Sequence, residues 1–239
     1  MRILNKKGLS VKLDQLGLDE NNGRAKLLSA VQAPQGMVLI TGPTGSGKTT
    51  TLYSLLQLIN KEGINILTAE DPVEYALEGI GQVQVRDDIG FSFAAALRAF
   101  LRQDPEVILI GEIRDKETVE IAVKAALTGH LVFSTLHTND AMSSITRLID
   151  MGIPPYLVAS AVSLVMAQRL ARTNCSHCAK IEEDLSLEQV TALGFSEEEA
   201  SSVKPKKGKG CGKCGKTGYS GRKGVYEILK ITPELREII

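Results

Sequence analysis

Short apolar runs alternate with helical patterns along much of the chain. This alternation is typical of an α/β fold, in which a mostly parallel sheet carries helices on both faces. The predicted strands are Met37–Thr41, Ile64–Ala69, Val107–Ile110 and Leu131–Thr135, and the predicted helices are Lys48–Lys61, Ser92–Gln103 and Lys116–Leu127. Gln82–Val85 alternates polar and apolar residues, which predicts a half-buried strand near an edge of the sheet.

The pattern changes after Thr135. Helical spacing continues through Ala141–Met151 and Pro155–Leu170, and the chain then becomes polar from Thr173 until the apolar run Gly224–Leu229, which predicts a returning strand. We therefore expect four parts. These are a linker or remnant of a preceding domain at 1–22, a P-loop core at 23–172, a small inserted module at 173–217, and a returning strand with the C-terminal segment at 218–239.

A glycine-rich motif follows the apolar run that ends at Thr41. Its residues are Gly42, Pro43, Thr44, Gly45, Ser46, Gly47, Lys48, Thr49 and Thr50. Backbone N–H groups of such a loop converge on phosphates, and the N-terminus of the following helix adds a positive dipole end. Lys48 is placed to reach the β- and γ-phosphates of ATP, and Thr49 a bound Mg²⁺. The alternative is a strand-to-helix turn that binds no ligand.

Composition narrows the possible functions. The chain has 28 Lys and Arg against 28 Asp and Glu, so no net field attracts it to nucleic acid or anionic lipid. This balance disfavours DNA helicases and packaging motors. The longest apolar run, Leu157 to Ala167, is too short to cross a bilayer, and no signal peptide is recognisable. We therefore expect a cytoplasmic protein that binds no nucleic acid.

Carboxylates follow two of the predicted strands. Glu70, Asp71 and Glu74 lie around Pro72 after the second strand, and Glu112 follows the third strand. Carboxylates beside Mg²⁺ hold the metal and orient an attacking water in phosphoryl transfer. The alternative for the residues around Pro72 is a solvated acidic turn. The alternative for Glu112 is an acidic cap of the next helix.

The fourth predicted strand and one predicted helix supply further candidate site residues. The segment from Thr128 to Ala141 surrounds the fourth strand with Ser, Thr, His and Asn side chains, which are suited to sensing a γ-phosphate. It includes His130 and His137, and a purely structural role for His130 stays open. Arg98 and Arg102 share one face of a predicted helix, where they fit either arginine fingers or ordinary surface pairing.

Four cysteines form two Cys-x2-Cys pairs, Cys175 with Cys178 and Cys211 with Cys214, separated by 32 residues. Two such pairs are typical of a single tetrahedral Zn²⁺ site. A thioredoxin-like redox motif is the alternative, but the βαβ context that it needs is missing around these pairs. Four thiolates complete the zinc shell, so His177, between the first two, is not required as a ligand.

The ordered motifs Gly42–Thr50, Ala69–Tyr75, Gly111–Asp115 and Thr128–Ala141 resemble the Walker A, Asp box, Walker B and His box of secretion-type hexameric ATPases. The resemblance runs from about Leu27 to Leu229 and implies a RecA-like P-loop NTPase core. The tetracysteine insert resembles that of the pilus assembly ATPases and of their type II secretion counterparts, and the segments Phe93–Pro105 and Ala167–Arg172 look closest to the type IV pilus assembly branch. At the Walker B position, a Gly-Glu pair replaces the usual Asp.

The resemblance also implies roles for individual residues. Glu74 would act as the base that activates water, with Glu70 assisting, and Glu112 would support Mg²⁺ through water. His137, and less directly His130, would couple the nucleotide state to structure. The implied assembly is a homohexamer at the cytoplasmic face of the inner membrane, peripherally bound through a platform protein.

Three functions are consistent with this reading. The first is an ATPase motor that powers type IV pilus assembly, and the second is a type II secretion ATPase. The third belongs to another class, a nucleotide-gated assembly module with little hydrolysis of its own. DNA-transport ATPases are disfavoured by the neutral charge and by the cysteine insert.

Overall fold

A computed structural model describes residues 13–19, 23–182 and 186–239 of the chain. Most of the predicted linker 1–22 lies outside the described residues. The helices are α1 Gly23–Val31, α2 Lys48–Ile59, α3 Phe93–Phe100, α4 Lys116–Leu127, α5 Ala141–Asp150, α6 Pro155–Ala161, α7 Leu187–Thr191, α8 Glu197–Ser202 and α9 Pro233–Ile238. The strands are β1 Gly36–Thr41, β2 Ile66–Glu70, β3 Gly81–Gln84, β4 Val107–Ile110, β5 Leu131–Leu136, β6 Val162–Asn174, β7 Ala179–Ile181, β8 Lys206–Gly208 and β9 Tyr219–Lys230.

Seven strands form the central sheet in the order β3-β2-β4-β5-β1-β6-β9. Each neighbouring pair from β3 to β6 is parallel. The predicted α/β fold with a mostly parallel sheet is therefore confirmed, and β3 takes the expected edge position. Since parallel strands end at the same edge of a sheet, the segments after β1, β2, β4 and β5 meet there.

Helices cover both faces of this sheet. Successive side chains of a strand point to opposite faces, so β1 sends Met37 and Leu39 into one apolar cluster, and Val38 and Ile40 into the other. The first cluster includes residues of α3 to α6, and the second includes residues of α1 and α2. Burial on both faces explains why the central strands read as continuous apolar runs.

The predicted helix Pro155–Leu170 is wrong in its second half. The helix α6 ends at Ala161, and the chain continues as β6, which pairs with β1 through Val38 and Leu164. A buried apolar run fits a helix and a central strand equally well by its pattern alone. The segment forms a strand because it pairs with β1, which would otherwise lack a hydrogen-bonding partner along its second edge.

The chain divides into two compact units, and the second contains the four cysteines. The second unit comprises Leu170–Lys223, and the first contains the remaining described residues. Within the second unit, β7 pairs with β8 in antiparallel fashion, and Ser186 and Ser196 cap α7 and α8 with complete capping boxes. The boundaries predicted from the sequence, at 173 and 217, stay predictions.

Candidate functional site

The predicted phosphate-binding motif, Gly42 to Thr50, forms the loop between β1 and α2 and continues into the first turn of α2. Gly42 has a φ of 142°, and a Cβ added here would lie 2.3 Å from the carbonyl oxygen of Gln168. Gly47 precedes α2 with a φ of 91°. Glycine adopts both backbone conformations without strain, so the loop can close tightly before the helix begins.

Lys48 begins α2 and folds back over this loop. Its Nζ donates to the carbonyl oxygens of Gly42 at 2.8 Å and Pro43 at 3.2 Å. Burial lowers the pKa of Lys48, and the negative charge of Glu112 opposes that shift. An ammonium group, a helix N-terminus and a glycine-rich backbone therefore meet at one place, which fits the phosphates of a nucleotide.

Glu70 ends β2 as a buried carboxylate, with only 4% of its surface exposed. It accepts hydrogen bonds from the hydroxyl of Tyr53, from Thr68 Oγ1 at 2.7 Å and from Gln82 Nε2 at 3.0 Å. Burial, followed by the hydrogen bond and the charge of Glu70, raises the pKa of Tyr53. Glu70 thus ties the end of β2 to α2, the helix that follows the glycine-rich loop.

Glu74 lies half-buried in the segment between β2 and β3. A backbone hydrogen bond of Glu74 reaches Tyr53, and the ring of Tyr75 packs edge-on against that of Tyr53 at 4.7 Å. The segment that carries Glu74 is therefore anchored on α2 as well. The structure thus ties Glu70 through its side chain, and Glu74 through its backbone, to the same helix, α2.

Glu112 follows β4 and lies in a cluster of charged side chains. Arg114 donates to Glu112 and to Asp71, the latter at 3.1 Å, while His137 Nε2 lies 3.3 Å from Glu112. Burial alone would raise the pKa of Glu112, but the hydrogen bond and charge of Arg114, aided by His137, lower it overall. Glu112 is therefore held as a carboxylate at the strand edge where the phosphate-binding loop also lies.

We expect Arg114→Gln to lower the free energy of unfolding at pH 7 by at most about 1 kcal/mol, because Arg114 is half exposed. The folded-state pKa of Glu112 is depressed, so its contribution is present above the unfolded value near 4.5 and is lost as the pH falls below it. Urea unfolding at pH 7 and pH 3 measures this, with Arg147→Gln on the exposed face of α5 as the control. A difference that persists unchanged at pH 3 would contradict the assignment.

His137 and Thr138 follow β5 at the same edge. Thr41, the last residue of β1, accepts a hydrogen bond from the Thr138 N–H at 2.9 Å, and the two hydroxyls are 2.6 Å apart. The Thr138 hydroxyl also lies 2.6 Å from that of Ser144 on α5. This chain of hydroxyls links the start of the glycine-rich loop to the segment after β5.

The structure places His130 elsewhere. It precedes β5, at the opposite end of the strand from His137, and its Nδ1 lies 3.1 Å from the carbonyl oxygen of Ala125. A strand of six residues separates the two histidines, which corresponds to about 20 Å. His130 is therefore not brought together with Lys48 or Glu112.

Arg98 and Arg102 are engaged within the chain. Arg98 forms an ion pair with Glu117 of α4, and Arg102 Nη1 donates to the carbonyl oxygen of Arg98 at 2.7 Å. Both side chains belong to the exposed surface, as the pairing alternative predicted. Their role as arginine fingers stays a prediction about a neighbouring subunit.

Gln168 is a buried residue that contacts the glycine-rich loop, and it was not predicted from the sequence to belong to the site. Its Nε2 donates to the carbonyl oxygen of Ser46 at 2.8 Å, and its Oε1 accepts from Thr51 Oγ1 at 2.8 Å. The prediction of a helix through Leu170 concealed this position. A polar residue at the end of a long apolar run is the signal that would have indicated it.

The four cysteines converge as predicted. Their sulfur atoms all lie within 4.8 Å of one another, and three pairs are 3.7, 3.9 and 4.0 Å apart. Zn–S bonds of about 2.3 Å place the sulfurs of a tetrahedral site about 3.8 Å apart, so the cluster fits a Zn²⁺ ion. Backbone N–H groups of Cys211 and Gly218 donate to Cys214 and lower its pKa to about 6.

His177 lies beside this cluster but faces another group. Its Nε2 is 3.4 Å from Lys213 Nζ, and the described residues that could hold a metal there are the four cysteines alone. The expectation that thiolates complete the shell without His177 agrees with this geometry.

The whole chain, residues 1–239, matches the family described as type II/IV secretion system protein. The chain belongs to this family. Over its full length it is 53% identical to the type IV pilus assembly ATPase PilB and 48% identical to type II secretion system protein E, both of Pseudomonas aeruginosa. It covers 42% and 47% of those two proteins, and so spans less than half the length of either relative.

A solved structure of the pilus retraction motor PilT with bound ADP has a similar fold. The TM-score is 0.70 at 33% identity, over 95% of this chain and 55% of that one. The predicted family and RecA-like fold are confirmed by these likenesses. Within the residues that the structure describes, we find no helix with the length and apolar character needed to cross a membrane.

Proposed function

We propose that this chain is the ATP-hydrolysing part of a motor that powers type IV pilus assembly. The observation that carries the proposal is that Lys48 and Glu112 interact electrostatically at the edge of the sheet where β1 and β4 end, the edge at which Glu70 ends β2. This is the arrangement that phosphoryl transfer requires, namely cations and N–H groups around the phosphates and carboxylates beside them. The 53% identity to a pilus assembly ATPase favours this machine.

Each residue has a specific task in this proposal. The loop Gly42–Thr50 binds the phosphates of ATP, with Lys48 at the β- and γ-phosphates. Thr49 and, through water, Glu112 would hold Mg²⁺, which neutralises charge on the phosphates when bound. Glu74 accepts the proton of the attacking water, and Glu70 assists by fixing the segment through Tyr53.

The remaining polar residues transmit the result. His137 contacts Glu112 directly, so loss of the γ-phosphate alters a charge cluster that also includes Arg114 and Asp71. Ordering and release of such segments is a sufficient source of movement between subunits. We propose that six copies form a ring at the cytoplasmic face of the inner membrane, bound to a platform protein, in which Arg98 and Arg102 exchange their contacts within the chain for contacts to the nucleotide of the neighbouring subunit.

Two other functions remain as alternatives. A type II secretion ATPase is supported by the 48% identity to type II secretion system protein E. Deletion strains lacking the pilus assembly ATPase or the secretion ATPase distinguish these machines, because the chain, joined to the remaining part of the corresponding relative, should restore only one. The nucleotide-gated assembly module predicts ATP binding with a near-zero turnover at every concentration.

Mg²⁺-dependent hydrolysis per chain, measured over a concentration series, tests the motor. We expect the rate per chain to rise with concentration as rings form, and Lys48→Ala to weaken ATP binding at least tenfold because a charged contact to phosphate is lost. Lys61→Ala, an exposed lysine just beyond α2, is the matched control and should leave binding unchanged. Equal binding by Lys48→Ala and the wild type would overturn the proposed phosphate site.

A further inference from the structure

We propose that Gln168 is a positioning residue of the nucleotide-binding loop, which it holds in its phosphate-binding shape from the neighbouring strand β6. The proposal rests on the proposed function, since it concerns how the same loop binds ATP. Gln168 is 2% exposed and lies near the end of the long apolar run of β6. A buried amide at such a position requires partners, because an unpaired amide in an apolar environment is costly.

Both polar atoms of the Gln168 amide form hydrogen bonds, and their partners lie in two different elements. Nε2 donates to the carbonyl oxygen of Ser46 in the loop at 2.8 Å, while Oε1 accepts from Thr51 on the first turn of α2 at 2.8 Å. The backbone carbonyl of Gln168 adds a steric limit, because a Cβ at Gly42 would lie 2.3 Å from it. One residue of β6 thus contacts the start, the end and the following helix of the loop.

The bond to Ser46 has a directional consequence. In a trans peptide, the C=O of one residue and the N–H of the next point in opposite directions. When Gln168 holds the Ser46 carbonyl, it also aims the Gly47 N–H away from β6. Gly47 precedes Lys48 and has a positive φ, so its peptide has freedom that a contact must restrict. Backbone N–H groups of such loops are the phosphate ligands.

The two partners together fix the amide. The Ser46 carbonyl oxygen can only accept, so it requires Nε2 on its side, and the Thr51 hydroxyl then donates to Oε1 on the other. Thr51 is fully buried, so this bond does not compete with solvent. Glutamate at 168 would keep the acceptor for Thr51 and present an oxygen to the Ser46 carbonyl, which replaces attraction by repulsion behind the phosphates.

Equilibrium binding of a fluorescent ATP analogue to the full chain tests this role. We expect Gln168→Glu and Gln168→Leu to raise Kd roughly tenfold or more, the effect of one lost buried hydrogen bond, and Thr51→Val to raise it less. Thr51→Ser keeps the hydroxyl and should bind as the wild type does. In hydrolysis assays, KM should rise more than kcat falls, because the loop shape governs binding.

Val165→Ala on the same strand separates positioning from general stability. Val165 is buried in the cluster on the other face of the sheet, so this variant should lower the melting temperature without changing Kd. A Kd that is unchanged in folded Gln168→Glu and Gln168→Leu, or raised equally in Val165→Ala, overturns the positioning role. Failure of the wild type to bind ATP would instead overturn the proposed function.

Discussion

Glu74→Gln is expected to lower kcat for ATP hydrolysis by at least about 100-fold, the usual contribution of a positioned general base. Glutamine keeps the shape of the side chain but cannot take a proton from water. Binding of ATP should stay within the wild-type range, because Lys48 and the loop Gly42–Thr50 are untouched. Single-turnover hydrolysis and equilibrium nucleotide binding, measured side by side, give the two quantities.

The matched control is Glu78→Gln, which removes an exposed carboxylate from the same segment between β2 and β3. The side chain of Asn60 holds the backbone of Glu78 through its carbonyl oxygen at 2.7 Å, and the substitution leaves that bond intact. We expect its kcat and Kd to equal those of the wild type. A loss of activity in Glu78→Gln would mean that the charge of the segment matters, and not the base.

Glu70→Gln distinguishes the two acidic residues of the segment. Glu70 accepts three hydrogen bonds, and an amide would turn one of its oxygens into a donor that faces Tyr53 or Gln82. We therefore expect a loss of stability together with a smaller loss of kcat than in Glu74→Gln. The reverse ranking, with Glu70→Gln inactive but stably folded and Glu74→Gln active, would transfer the role of base to Glu70.

The strands of the sheet could be predicted from the sequence because they are buried on both faces. Val107–Ile110 is apolar throughout, Leu131–Thr135 begins with three apolar residues, and both lie where that pattern predicts. The same property caused the error after Pro155, since the apolar run Leu164–Ala167 shows no alternation of polar and apolar residues. Only the pairing of β6 with β1 identifies it as a strand, and pairing between distant segments leaves no local pattern.

The site could be predicted only in part, for reasons of topology. Motif spacing indicated Lys48, Glu70 and Glu112, and the carboxyl ends of parallel strands bring them to one edge. By the same rule, His137, which follows β5, lies at this edge, whereas His130, which precedes β5, lies at the opposite edge. Gln168 was missed because its contacts join segments more than 100 residues apart in sequence.

Loss of the metal from the cysteine cluster is expected to unfold the unit Leu170–Lys223 and to leave the rest folded. We expect one Zn²⁺ per chain, measured by elemental analysis, and its loss in Cys178→Ser and Cys211→Ser. Among the described residues of this unit, the buried apolar side chains are Cys175, Val190 and Ala200, which make too small a core. A structural Zn²⁺ contributes about 10–16 kcal/mol in zinc-finger peptides, enough to replace that core.

Hydrogen exchange before and after chelation measures the unfolding directly. Exchange should rise across 170–182 and 186–223 while β1, β4 and β5 stay protected, since their core is independent of the cysteines. His177→Ala is the matched control. Because His177 faces Lys213, this variant should still bind one zinc per chain. Full protection of the unit after complete zinc removal would show that the four thiols do not need a metal, and a redox role for the two Cys-x2-Cys pairs would then account better for their convergence.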